Sequence, residues 1–237
     1  MTTEQTKDAP RKLGILETGG PPAGLAGPYG DYPTMIERLL GPSYAYTRYD
    51  VAGGVLPARP EEQDAYVITG SPAGVYDDLP WIAPLIGFLR SAKGKAKLVG
   101  ICFGHQIMAE AFGGRVVKSG KGWGIGLHEY RVHEPAAWMD DAARFSIPAS
   151  HQDQVVEAPL RARLLAGNDF NRFGLIAYED QPAISLQGHP EFEPDYAKAL
   201  IETRRELLPA PDAAIASLDG PDDRARVAGW IRRFLAQ

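Results

Sequence analysis

Apolar positions along the chain fall into short compact runs separated by stretches of helical period. Residues 12–17 (KLGILE), 64–69 (DAYVIT) and 96–101 (AKLVGI) are runs of strand length and predict buried strands. A further strand is predicted over 45–51. From Tyr32, the residues Met35, Ile36, Leu39 and Leu40 recur at helical spacing, with Pro33 in the first turn and Gly41-Pro42 as a stop. Residues 81–90 predict a second helix, and Ile107, Met108, Ala111 and Phe112 place a third from about residue 106. This alternation predicts an α/β fold, an open and mainly parallel sheet flanked by helices, whose ligands sit at the carboxyl ends of the strands.

Beyond Gly113-Gly114 the pattern changes. Residues 115–118, 126–132, 154–157 and 164–166 read as short strands with little helix between them, a small antiparallel extension. Residues 119–125 (SGKGWGI) form a glycine-rich link in which Trp123 is expected to pack a turn. Strands are predicted over 175–178 and 183–187, joined by a turn at 179–182. Residues 194–207 are amphipathic, and after Pro221 the residues Val227, Trp230, Ile231, Phe234 and Leu235 share one helical face. The stretch 209–221 reads as a linker between these two helices. We expect a loose tail over 1–11 and a single domain over 12–237, with 207–237 as its C-terminal helical extension.

Composition narrows the function classes. With 44% hydrophobic and 23% charged residues, the 237-residue chain matches an ordinary globular protein. A net charge of -5 without a run of Lys or Arg gives no electrostatic footprint for nucleic acid or an anionic membrane. The expected partner is a small molecule or peptide. One cysteine precludes an internal disulfide, no apolar run approaches membrane-spanning length, and the first residues lack a signal-peptide core, so a cytoplasmic location is expected. The Gly/Pro-rich loop 18–31 is not a phosphate cradle, because its prolines remove donors and no helix follows in the required register.

The single cysteine, Cys102, stands between a predicted strand and helix, with Gly100 and Gly104 to permit a tight turn. That is a nucleophile elbow, which exposes the sulfur and aims a helix amino end at it, favouring thiolate over thiol. A thiol nucleophile needs a base, and a base needs an orienting partner. Of the five histidines, His189 also follows a predicted strand, freed by Gly188 and fixed by Pro190, and Glu191 two residues on can hold its ring and tautomer. His105 reads as a packing or hydrogen-bonding residue, and His128 and His133 as strand-surface residues. No His/Cys/Asp/Glu set has metal-binding spacing, and neither a metal nor a cofactor is expected.

GICFGHQ (100–106), TGSP (69–72), SHQD (150–153) and QGHPEF (187–192) occur in the order and at spacings that resemble class I glutamine amidotransferase domains. The resemblance spans residues 12–206. It points to the stand-alone branch similar to the amidotransferase portion of GMP synthase, which includes gamma-glutamyl peptidases acting on glutathione conjugates. It implies a flavodoxin-like sheet and a gamma-glutamyl amide, from glutamine or a gamma-glutamyl peptide, cleaved through a Cys102 thioester. His189 then moves the proton, Glu191 orients His189, and the backbone N–H groups of Ser71 and Phe103 form the oxyanion hole. Gly70, Gln106, His151, Gln152 and Asp153 are implied to bind substrate. Family members usually carry glycine where Ser71 stands. Loops 18–31 and 73–80 are expected to set substrate choice. Either a separate synthetase subunit receives the ammonia or the protein acts alone as a hydrolase.

Two other readings compete with this one. An intracellular cysteine peptidase or deglycase of the same fold would carry a histidine directly after the cysteine, where Phe103 stands here. A catalytically silent regulatory module would have lost Cys102, His189 or Glu191.

Overall fold

The computed structural model describes residues 10–237. The expected tail therefore lies outside the described residues except at its end, where Arg11 already opens the first strand. The strands are β1 (Arg11–Glu17), β2 (Tyr44–Asp50), β3 (Ala65–Ile68), β4 (Lys97–Ile101), β5 (Arg115–Lys118), β6 (Gly124–Val132), β7 (Arg144–His151), β8 (Asp153–Glu157), β9 (Ala162–Gly167), β10 (Leu175–Tyr178) and β11 (Ala183–Leu186). The helices are α1 (Ala26–Tyr29), α2 (Tyr32–Leu40), α3 (Ile82–Ala92), α4 (Phe103–Ala111), α5 (Pro194–Thr203), α6 (Pro211–Ser217) and α7 (Arg224–Ala236).

Nine strands form one mixed sheet in the order β2-β1-β3-β4-β11-β10-β9-β6-β7, and β5 pairs with β8 in a separate antiparallel ribbon. From β2 to β11 every pairing is parallel; from β11 to β7 every pairing is antiparallel. The antiparallel extension is thus continuous with the parallel half. The order sets where a site can form, because β3, β4 and β11 are adjacent and parallel, so their carboxyl ends open on one edge.

The near-continuous apolar runs of β1, β3 and β4 are explained by cover on both faces. Tyr66, Ile68 and Leu98 pack with α3 and α4, whereas Val67, Val99 and Ile101 pack with α2 and α7. Helix α2 starts where Asp31 accepts a hydrogen bond from the Thr34 N–H at 2.8 Å, a side-chain N-cap, and stops at Gly41 with φ 83°. Helix α7 buries the five residues of its predicted face. Burial of each contributes about 1.5 to 3 kcal/mol. Its last turn is held by cations: Arg11 donates to the carbonyls of Leu235 and Ala236, and Lys97 to those of Phe234 and Leu235.

Three elements differ from the sequence reading, the first being the short helix α1 within the stretch 18–31 read as a loop. The stretch 209–221 is not a bare linker, since α6 lies within it and seats Ala214 against Gly126 of β6, whose φ of 86° and close approach require glycine. Strand β7 is absent from the sequence expectation. Its buried residues Phe145, Ile147 and Ala149 alternate correctly, but Pro148 argues against a strand. As the last strand of the sheet, β7 tolerates a proline that donates no ladder bond.

Candidate active site

The carboxyl ends of β3, β4 and β11 deliver Gly70 and Ser71, Cys102, and His189 to one place. Cys102 takes φ 53° and ψ −101°, one of two non-glycine residues with positive φ among the described residues. Such backbone costs on the order of 1–3 kcal/mol and persists only where its surroundings enforce it. The enforcement is visible. A Cβ on Gly100 would lie 2.5 Å from the Gly104 carbonyl oxygen, and one on Gly104 would lie 2.3 Å from that of Ile68. Only glycine at both positions lets α4 press onto β3 and β4. The helix begins at Phe103, earlier than its apolar spacing suggested, so its amino end abuts Cys102 directly.

His189 Nδ1–H donates to the Glu191 carboxylate at Oε1 at 2.7 Å, and both side chains are almost wholly buried. The other ring nitrogen is left for Cys102. The ring stacks on Phe192 at 3.9 Å between centroids and 8° between planes. Its opposite limit is Gly70, where a Cβ would come within 3.1 Å of Cε1. Burial works against a charged imidazole, but the Cys102 thiolate, the Glu191 carboxylate and hydrogen bonds to both outweigh it and push His189 up to about 10.

Gln187 Nε2 lies 3.7 Å from Cys102 Sγ, and its Oε1 accepts from Gln106 Nε2 at 3.3 Å, which also donates to the Asp153 carbonyl at 2.9 Å. A chain of amides therefore links the sulfur to the start of β8. The backbone N–H groups of Ser71 and Phe103 donate to no protein group among the described residues. Thr18 supports the Ser71 loop by donating to the carbonyls of Thr69 and Gly70.

Two spaces meet at Cys102. The wider, about 480 Å³, runs past Gln106, Trp123, Tyr76 and the segment 150–153. The narrower, about 20 Å³, lies between Tyr32, Gly70, His189 and Phe192. His151, Gln152 and Asp153 thus border the space that the sequence reading assigned them, and loop 73–80 contributes Ala73, Gly74, Tyr76 and Asp77. No residue of loop 18–31 lines either space. Trp123 does not merely pack a turn but forms a wall of the wider space. His128 is not a surface residue: it is half-buried in edge-on contact with Phe170 and close to His151. His105 is buried with Nδ1 2.8 Å from Ser185 Oγ. Sequence reasoning gives no role to Gln187, Phe192, Tyr76, Ser150 or Arg204. Gln187 and Phe192 stand in the motif QGHPEF, Ser150 in SHQD and Tyr76 in the loop 73–80, and are accessible from them; Arg204 carries no local signal.

The fold and this edge define a class of protein. The pattern of the glutamine amidotransferase class-I family matches residues 48–204, and the chain belongs to that family. Among its relatives, a glutamine amidotransferase-like protein of Schizosaccharomyces pombe is 29% identical over 95% of this chain and 98% of its own length. Gamma-glutamyl peptidase 4 of Arabidopsis thaliana is 30% identical over 73% of each chain. The A subunit of the glutamine-hydrolyzing GMP synthase of Methanopyrus kandleri is 32% identical over 50% of this chain and 67% of its own. The crystal structure of a glutamine amidotransferase from Thermotoga maritima superposes with a TM-score of 0.75 over 96% of this chain and 99% of that one, at 18% identity. No helix among the described residues is long and apolar enough to cross a membrane.

Proposed function

We propose that the protein hydrolyses a gamma-glutamyl amide through a thioester on Cys102. The observation that carries this reading is the strained cysteine at the amino end of α4, beside a buried His189–Glu191 pair at 2.7 Å. The Cys102 thiolate attacks the gamma-carbonyl carbon, and the oxyanion is held by the N–H groups of Ser71 and Phe103. On collapse the C–N bond breaks and the departing nitrogen takes a proton from His189. Water then attacks the thioester and gives its proton to His189, the C–S bond breaks, and glutamate leaves with the thiolate restored. Glu191 keeps the tautomer and offsets the imidazolium charge in both halves.

Gln106, His151, Gln152, Asp153 and Gly70 bind the glutamyl portion in this scheme. Gln106 has both N–H donors near protein acceptors, so its Oε1 is the atom free for substrate. The likeness to gamma-glutamyl peptidases supports a protein acting alone, and that to the GMP synthase component supports ammonia transfer to a separate synthetase. We favour the first, because the relative named a peptidase aligns over more of the chain. The test is release of glutamate, ammonia and amine from glutamine and gamma-glutamyl peptides by wild type and Cys102→Ala. Turnover without any added synthetase, abolished in Cys102→Ala, is expected. Absence of cleavage together with failure of a glutamine-analogue electrophile to label Cys102 would overturn the enzyme reading.

A further inference from the structure

Among the described residues, Arg204 is the one arginine or lysine that borders both spaces at Cys102. It caps the carboxyl end of α5 and is half-buried. Its guanidinium lies over the Trp123 ring, 5.8 Å from the centroid, and pairs with no carboxylate among the described residues. The contrast with the next residue is instructive. Arg205 is bound by Glu202 and Asp212 at 2.8 and 2.9 Å, so the neighbourhood does not lack acids; Arg204 is simply turned away from them. A cation–π contact with Trp123 holds it in place without neutralising it.

The chemistry of the site fixes what such a charge can meet. His189 must reach the departing nitrogen, so the space that contains His189 marks the leaving-group side of the scissile bond. That recess, about 20 Å³, admits a group the size of water or ammonia and no more. Anything larger attached to the nitrogen has to run outward where the two spaces join, and Arg204 stands at that junction with Ser71, Pro72 and Ser150. The acids of the wider space, Asp77 and Asp153, lie toward Tyr76, with Tyr76 donating to Asp153 at 2.8 Å and the Gly74 N–H donating to Asp77 at 2.8 Å. Lys118, the other cation lining that space, acts on Asp153. The cleft is therefore polarised, with its acids at the Tyr76 end and an unpaired cation at Arg204.

We infer that Arg204 is a specificity residue that binds a carboxylate on the leaving group. The preferred substrates are then gamma-glutamyl amino acids and peptides whose amine portion carries a carboxylate close to the scissile nitrogen, in preference to glutamine. A planar guanidinium matches a carboxylate through two parallel hydrogen bonds, a match that lysine does not reproduce. This inference rests on the hydrolase reading above and narrows its substrate.

The test compares gamma-glutamyl-alanine with gamma-glutamyl-alaninamide, which differ only in that carboxylate. Wild type is expected to favour the acid by about tenfold in kcat/KM. In Arg204→Gln that acid-to-amide ratio collapses toward one, and in Arg204→Lys it falls part of the way. Thermal melts of each variant report whether the fold is retained, and the ratio within one variant is independent of the fraction folded. Parallel loss on both peptides, leaving the ratio unchanged, would show that Arg204 serves the glutamyl half or the scaffold and would overturn the assignment. Cleavage of neither peptide by wild type would instead overturn the hydrolase reading, and the Arg204 assignment with it.

Discussion

Two kinds of buried histidine stand within this fold, and they are driven in opposite directions. His105 and His151 are pushed down to about 3, each first of all by burial, and His151 further by the nearby His128. His189 is equally buried and is pushed up to about 10. The difference lies in the company each ring keeps. His105 meets the hydroxyl of Ser185, and His151 the carbonyl of Asp153, neutral groups that cannot offset the desolvation of a cation. His189 is held between a thiolate and a carboxylate. Burial alone favours the neutral imidazole, whereas burial beside Cys102 and Glu191 favours the charged one.

The most severe way to break the contrast is to remove one of those anions. Glu191→Gln keeps the shape and one acceptor for His189 Nδ1 but loses the charge, and its amide nitrogen replaces Oε2, a buried atom with no partner among the described residues. We expect kcat/KM to fall by about 10²- to 10⁴-fold, the range of positioned proton transfer. The His189 imidazole resonances, followed by NMR, should titrate at lower pH than in wild type. Unaltered titration with lost activity would mean that Glu191 acts only through packing.

The neutral pair predicts a stability effect of definite sign. Between about pH 3 and 6.5 the unfolded chain binds protons at His105 and His151 that the folded protein refuses, so stability rises with pH across that window and is lost on acidification. From pH 7 to pH 5 each contributes a loss of about 2 kcal/mol. His189 has the opposite sign: its contribution is complete below about pH 6.5 and is lost as pH rises toward 10. Urea unfolding at pH 7 and pH 5 for wild type and His105→Gln measures this, with about 2 kcal/mol of the acid loss expected to vanish in the variant. An equal loss in both would refute a neutral His105.

The contrast also marks how much the sequence could disclose. The elbow was legible because Gly100, Cys102 and Gly104 are local requirements of one tight turn, and helix α2 because its first-turn Pro33, apolar stripe and Gly41 stop are contiguous. His189 and Glu191 are expected to pair as residues two apart in extended chain; they do meet, but across a turn in which the Phe192 N–H donates to the His189 carbonyl at 3.3 Å. The side chains that the fold brings from elsewhere were not legible. Trp123 and Arg204 lie 81 positions apart and meet only because α5 crosses near the start of β6. His128 reads as a surface residue although period-two spacing puts it on the face of the buried Tyr130; the cover itself comes from Phe170 on a distant loop. Strand β7 is hidden by Pro148, whose tolerance depends on an edge position that only the assembled sheet defines.

A smaller perturbation tests how tightly the charged histidine is held. A methyl group at Gly70 would press on His189 Cε1 at 3.1 Å and on Cys102 Cβ at 3.8 Å. The ring cannot retreat, because Phe192 stacks against it at 3.9 Å and Glu191 fixes Nδ1. Nor is Gly70 in a positive-φ conformation, so alanine adds no backbone strain there. Gly70→Ala is therefore expected to displace the imidazole by a few tenths of an ångström and lower kcat/KM by about tenfold, while Tm moves little. Gly87→Ala in helix α3, where a Cβ meets nothing within 4 Å, is the control, and it should leave activity intact and stabilise by about 0.5–1 kcal/mol. If Gly70→Ala turned over substrate as fast as that control, the ring would have room to move, and tight clamping could not be what separates His189 from its inert neighbours.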